Sequence, residues 1–280
     1  MLKPYLERIG LELPLAADAE SLRRLQMAHL LHVPFENLDI ALGRPIRLGL
    51  TTLYDKIVTR RRGGFCYELN GLFAWLLDDL GFEVTYLSAS DYHQDDGSYG
   101  LDYDHLALLV RCPADPAPEV RWLVDVGWGD TFRIPLRADA EGEQYGGLKT
   151  YLITTNPVAA SEEAIREARP QGERRQLWER HTNTEGYSSS GVWERQYAFI
   201  TQPRAFPDFE PMCRYHQTSA ESIFTRKQIC TLATPDGRVS LEDERLIITR
   251  GGAREERQVA PEEKESMLRE LFGIDLAAHS

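Results

Sequence analysis

Between Cys66 and Gly81 the apolar residues fall with a helical period. Leu69, Leu72, Phe73, Leu76, Leu77 and Leu80 recur at i, i+3, i+4, i+7, i+8 and i+11, and Gly81 supplies a stop. The pattern predicts a buried helix with Cys66 in its first turn. Upstream, Tyr5 to Gly10 reads as a short helix ending at glycine. Asp18 can cap a second helix that runs to about His32 with Leu22, Leu25 and Leu30 on its apolar face. Pro34 breaks that helix, and Thr51 or Thr52 opens a third that ends near the arginine run before Gly63. The first 80 or so residues thus read as a helical bundle. After Gly81 the period changes to two. Phe82–Leu87, His105–Val110, Arg121–Val126, Thr150–Thr154, Arg175–His181 and Trp193–Ile200 read as short strands with turn signals between them, which predicts an antiparallel sheet or barrel. Ser161–Arg169 reads as a helical insert or a mobile loop. The last third returns to mixed structure, with a helix over Asp208–Gln217 and strands at Gln228–Ala233, Arg238–Leu241 and Leu246–Thr249. A terminal helix opens at Pro261 and carries Leu268, Leu271 and Phe272.

Composition narrows the class. The chain has 280 residues, 42% hydrophobic and 27% charged, which suits a soluble globular protein of one large or two to three small domains. A net charge of −12 argues against a general nucleic-acid binder. No run approaches the roughly 18 apolar residues of a membrane span, and the opening Met1–Arg8 is too polar for a signal peptide. Cys66, Cys112, Cys213 and Cys230 contain no C-x-x-C pair, so neither a zinc site nor a disulfide scaffold is expected; reduced thiols in a cytoplasm are the simplest reading. His29 and His32 have no third ligand at metal spacing beside them, and no metal is expected.

The candidate chemistry centres on Arg60-Arg61-Arg62-Gly63-Gly64-Phe65-Cys66-Tyr67-Glu68-Leu69-Asn70-Gly71. A cysteine at a helix start meets free N–H groups and the positive dipole end, both of which favour a thiolate. The glycines let a substrate carbonyl approach the backbone. From the residues alone, a nucleophile and a core cysteine are equally good readings. A nucleophilic thiol needs a base, and the base an orienter. His105 opens an apolar strand directly after a loop, and Asp125 closes one before a Gly-rich turn. Each also reads as structural, a satisfied core histidine and a turn carboxylate. His93, His181 and His216 compete as bases, and Asp102, Asp104 and Asp130 as acids. The order Cys, His, acid is that of papain-like enzymes, though order alone identifies no triad.

Arg62-Gly63-Gly64-Phe65-Cys66-Tyr67-Glu68-Leu69-Asn70 resembles the R-G-G-x-C-x-E-x-N signature of the arylamine N-acetyltransferases. The runs around His105 (D-H-L-A-L-L-V) and Asp125 (L-V-D-V-G-W-G) match the same family, as does P-F-E-N-L-D at Pro34–Asp39. The resemblance covers roughly 2–88, 103–136 and 191–275. It implies an α+β fold: a helical bundle with the nucleophile over 1–88, a β-barrel with the histidine and aspartate over 89–200, and an α/β lid over 201–280. It implies a papain-like triad of Cys66, His105 and Asp125, with Cys66 and His105 resting as thiolate and imidazolium. It implies acetyl-CoA as acyl donor, small arylamines or arylhydrazines as acceptors, and a place in xenobiotic metabolism. Phe35 and Trp128 are expected to line the acceptor pocket with Phe132 behind them, and Tyr215 to contact CoA. Arg8, Glu36 and Arg62 are expected to form one ion network under the active-site loop; the alternative is three surface charges. The chain departs from the family at Trp128, more often phenylalanine there, at Ala220, usually proline, and over the loop Asp95–Asp104. An amide synthase acting on a carrier-bound acyl chain, a cysteine hydrolase and a non-catalytic binding module are the competing readings.

Overall fold

A computed structural model of the protein describes residues 1–155, 173–181 and 191–277. The expected insert Ser161–Arg169 and the side chain of His181 lie outside the described residues. In the first part, α1 (Leu2–Arg8), α2 (Ala19–His32), α4 (Leu50–Tyr54) and α5 (Cys66–Asp79) surround one core, while the short α3 (Leu38–Ala41) turns Leu38 into the core of the last part. The Asp18 carboxylate accepts the Ser21 N–H at 2.7 Å and starts α2 as its cap. The apolar stripe of α5 is buried as its period requires: Leu69, Leu72, Phe73, Leu76 and Leu77 have no exposed surface. Gly81 takes φ +90° just beyond it, a conformation that favours glycine. The third helix does not run uniformly to the arginines. After α4 the chain widens into one π turn, Asp55–Thr59, which buries Lys56.

The strands β2 (Glu83–Asp91), β3 (His105–Arg111), β4 (Arg121–Val124), β5 (Leu136–Arg137), β6 (Glu143–Tyr145), β7 (Lys149–Thr155), β8 (Arg174–His181) and β9 (Glu194–Ile200) form one antiparallel sheet in the order β5-β4-β3-β2-β9-β8-β7-β6. Its two edges meet through one side chain. Gln144 donates to the Arg137 carbonyl at 3.0 Å and accepts the Arg137 N–H at 2.8 Å, as a backbone partner would. The sheet is therefore a nearly closed barrel around Leu87, Leu109, Phe132, Tyr151 and Tyr197. Strand β2 runs across position 88, longer than its alternating pattern indicated.

A second antiparallel sheet has the order β1-β10-β11-β12-β13, built from β1 (Phe35–Glu36), β10 (Ile229–Thr234), β11 (Gly237–Glu242), β12 (Arg245–Arg250) and β13 (Ala253–Gln258). Two residues after the proline break thus join the sheet of the last part: Phe35 pairs with Thr231 and Glu36 with Cys230. Helix α8 (Lys264–Phe272) packs Leu268 and Phe272 on this sheet, while α6 (Glu210–Thr218) and α7 (Ile223–Arg226) lie beside α5 and β1. Among the described residues no helix is long and apolar enough to cross a membrane.

Candidate active site

Cys66 is the first residue of α5 and is buried. Two glycines let the chain pack around it. A Cβ on Gly63 would stand 2.0 Å from the Pro34 carbonyl oxygen, and one on Gly127 would stand 2.7 Å from the Cys66 Cα. The turn after β4 therefore lies directly on the helix start. Glu68 caps that start by accepting the Phe65 N–H at 3.2 Å.

Asp125, fully buried, sits in that turn and accepts four hydrogen bonds. Its Oδ1 takes the Asn70 side-chain amide and the Gly127 N–H, each at 2.9 Å. Its Oδ2 takes His105 Nε2 at 2.7 Å and the Tyr197 hydroxyl at 3.1 Å. Asn70 is itself fixed, donating to the Leu106 carbonyl at 2.6 Å and accepting the Val126 N–H at 2.9 Å. Trp128 packs edge-on against the His105 ring, centroids 4.9 Å apart and planes at 76°, and touches Tyr197 as well.

The electrostatics differ between the two candidate groups, His105 and Cys66. Burial pushes the His105 imidazolium down, but Asp125 and the nearby Asp91 and Asp104 more than offset this, and the net shift is upward. Burial pushes the Cys66 thiol well up, and the Leu106 backbone N–H pulls it back only in part. Asp91 and Asp125 raise it further. The two shifts run the same way, each favouring the protonated form of its group, and His105 beside Asp125 is the candidate base for the Cys66 thiol.

Cys66 and His105 face a cavity of about 960 Å³. Phe35 and Trp128 line it, as expected from the sequence, together with Phe224, Asp91 and Asp104. Phe132 has no exposed surface; it stands in the barrel core on which Trp128 packs, its ring 5.6 Å from Tyr151. Tyr215 is half-buried on α6, its hydroxyl 3.3 Å from Glu221 and its ring against His216, and it is not among the residues that line the cavity. Among the competing groups, His93 and Asp102 are exposed, Asp130 pairs with Lys149 and Arg238, and His216 pairs with Ser222 and Asp104. Asn70, Tyr197 and Asp91 belong to the site but drew no role from the sequence. Asn70 follows Cys66 by four residues, so it shares a helix face with it, and that spacing was the available signal.

The expected Arg8–Glu36–Arg62 network is corrected in one member. Arg62 bonds Glu36 at 2.7 Å and Asp39 at 3.1 Å, and Lys56 completes the cluster at 2.8 Å from Asp39 and 2.8 Å from Glu68. Arg8 instead donates to the carbonyls of Ile57, His32 and Arg61, and burial beside Arg61 pushes it down to about 10. It clamps three backbone segments and meets no carboxylate of the cluster.

A sequence model described as N-acetyltransferase matches residues 18–280. The arylamine N-acetyltransferase of Mycolicibacterium smegmatis is 34% identical, over 97% of this chain and 91% of its own length. The pineal gland arylamine N-acetyltransferase isozyme NAT-3 of Gallus gallus is 32% identical, over 92% of this chain and 88% of its own. Among solved structures, the M. smegmatis arylamine N-acetyltransferase superposes with a TM-score of 0.83 at 32% identity, covering 99% of this chain and 93% of that one. The Mycobacterium marinum arylamine N-acetyltransferase in complex with CoA superposes with a TM-score of 0.82 at 28% identity, covering 99% and 94%.

Proposed function

The chain belongs to the N-acetyltransferase family and is an arylamine N-acetyltransferase, and from that premise we propose a ping-pong reaction through an acetyl group held on Cys66. His105 takes the thiol proton through Nδ1 while Asp125 holds Nε2 and stabilises the imidazolium. The Cys66 sulfur attacks the thioester carbonyl of acetyl-CoA. The Cys66 backbone N–H, at a helix position that has no intrahelical partner, donates to the developing oxyanion. The CoA thiolate leaves with the proton from His105. The arylamine or arylhydrazine then attacks the acetyl carbonyl, His105 takes the nitrogen's proton, and the amide departs with Cys66 restored. An uncharged aryl nitrogen suits this step, because its lone pair is free at neutral pH and its ring can lie against Phe35 and Trp128.

The observation that carries this reading is the one constellation in which Cys66 and His105 share a cavity wall while His105 is tied to Asp125 at 2.7 Å. The cavity suits a phosphate-bearing thioester, since Lys149, Arg238 and Arg254 also line it. The reading includes a cytoplasmic place in the acetylation of foreign arylamines. It is tested by mixing the enzyme with acetyl-CoA and no amine and weighing the intact protein. One acetyl group on wild type and none on Cys66→Ser is expected; a hydrolase would show no adduct on either.

A further inference from the structure

Two carboxylates on the cavity wall take no part in the reaction just described. Asp91 ends β2, Asp104 directly precedes β3, and both line the cavity with Cys66 and His105. They are not equivalent. Asp104 Oδ1 lies 3.1 Å from Nε2 of the buried His216. Asp91 Oδ1 is buried and has no hydrogen-bond partner among the described residues. The residue as a whole is only half-buried and lines the cavity, so a ligand there can supply a donor to the accessible part of a carboxylate that the protein leaves without an ion-pair partner among the described residues. Asp91 opposes negative charge on Cys66 and favours positive charge on His105, so its two effects on that pair offset each other. The cationic side chains that line the same cavity, Lys149, Arg238 and Arg254, come from β7, β11 and β13 and not from the β2–β3 end. A polyphosphate is repelled by the β2–β3 end, which leaves that end to the acceptor.

We infer that Asp91, supported by Asp104, is a specificity-determining residue that selects arylamine acceptors carrying a second, cationic or hydrogen-bond-donating group and rejects those carrying a carboxylate. The inference rests on the proposed acetyl transfer only for which molecule fills this end of the cavity. An amidinium is the best-fitting donor, because its paired N–H groups match a carboxylate. Burial and Asp104 push Asp91 up to about 7, so a cation binds with release of the Asp91 proton and its affinity should rise as pH is raised through that value.

The test has a binding arm and a turnover arm, each on the full-length protein. In the first, benzamidine and benzoate, neither of which can be acetylated on an aryl nitrogen, are titrated calorimetrically. In the second, kcat/KM is compared for 4-aminobenzamidine, aniline and 4-aminobenzoate. Wild type is expected to favour the amidine over the carboxylate by about tenfold or more in both arms. Asp91→Val should collapse both ratios; Asp91→Asn, which keeps the shape, serves if the valine variant misfolds, and should lose most of the preference. Ratios that stay the same in Asp91→Asn as in wild type overturn the inference. Absence of an acetyl adduct on wild-type Cys66 would instead overturn the proposed reaction, and the benzamidine titration would still decide the role of Asp91.

Discussion

His105 Nε2 lies 2.7 Å from Asp125 Oδ2, which commits that nitrogen to the carboxylate and leaves Nδ1 as the one that, in the proposed reaction, trades a proton with Cys66. Asp125 can enforce this because its other oxygen is already filled by Asn70 and Gly127. Asp125→Asn should therefore fold but turn over on the order of 10³-fold more slowly or worse. An amide facing Nε2 offers an N–H where an acceptor is required, which favours the imidazole tautomer with its proton on Nδ1, where it cannot accept one from the thiol. The check is the single-turnover rate of Cys66 acetylation alongside circular dichroism. Near wild-type acetylation by a folded variant would remove Asp125 from the triad.

Arg62→Ala should destabilise the protein by about 3–5 kcal/mol, because it strips a buried partner from Glu36 and Asp39 together. Lys56 stays 3.8 Å from Glu36, too far to replace a bond at 2.7 Å. Urea unfolding measures this directly. An unchanged midpoint would show that the two carboxylates are satisfied without Arg62.

The cluster holds three acids, Glu36, Asp39 and Glu68, against two bases, Lys56 and Arg62, and Glu68 bears the imbalance. Burial pushes it from an ordinary 4.5 up to about 7, with Lys56 opposing and Glu36 reinforcing. Between those values the folded protein keeps a proton on Glu68 that the unfolded chain gives up. The contribution of this group to stability is therefore fullest below 4.5 and shrinks as pH rises to 7, by at most about 1.4 kcal/mol per pH unit. Glu68→Gln cannot titrate. Its stability relative to wild type should improve steadily as pH is raised over that interval. Parallel stability–pH curves for the two proteins would mean Glu68 is ionised throughout in the fold.

What the sequence made legible follows from what its patterns encode. Helix α5 was readable because six apolar residues repeat with one period and a glycine ends it, and Cys66 came with it. His105 and Asp125 were picked out by family words around them, not by the strands that carry them, and the structure brings these two side chains together at 2.7 Å. Strand β1 was not readable, since two residues cannot show a period, and β13 was not, since all six of its residues are exposed and none marks an inner face. For Phe132 the sequence offers a place behind the lining residues but no partner, and only the closing of the barrel sets its ring against Tyr151 in the core on which Trp128 packs. Lys56 reads as a surface charge until the π turn brings it inward to Glu68. Tyr197 was out of reach because its approach to Asp125 depends on the pairing of β2 with β9, where Asp91 stands opposite Tyr197.

Trp128→Phe should widen the range of acceptors. The indole lies against His105 at 4.9 Å and against Tyr197 at 4.8 Å, and it lines the cavity beside the nucleophile. It therefore fixes the depth of the space over the acetylated sulfur. A phenyl ring retains an edge contact with His105 but leaves out the indole's outer atoms, so space opens where a second ring of a substrate would lie. Small single-ring amines lose one or two apolar contacts, worth about 1–3 kcal/mol at most. Fused-ring and bulky para-substituted arylamines lose a clash and should gain in kcat/KM. The ratio of kcat/KM between fused-ring and single-ring amines is the right readout, because any loosening of His105 slows both and cancels. A ratio equal to that of wild type would show that Trp128 supports His105 without bounding the acceptor.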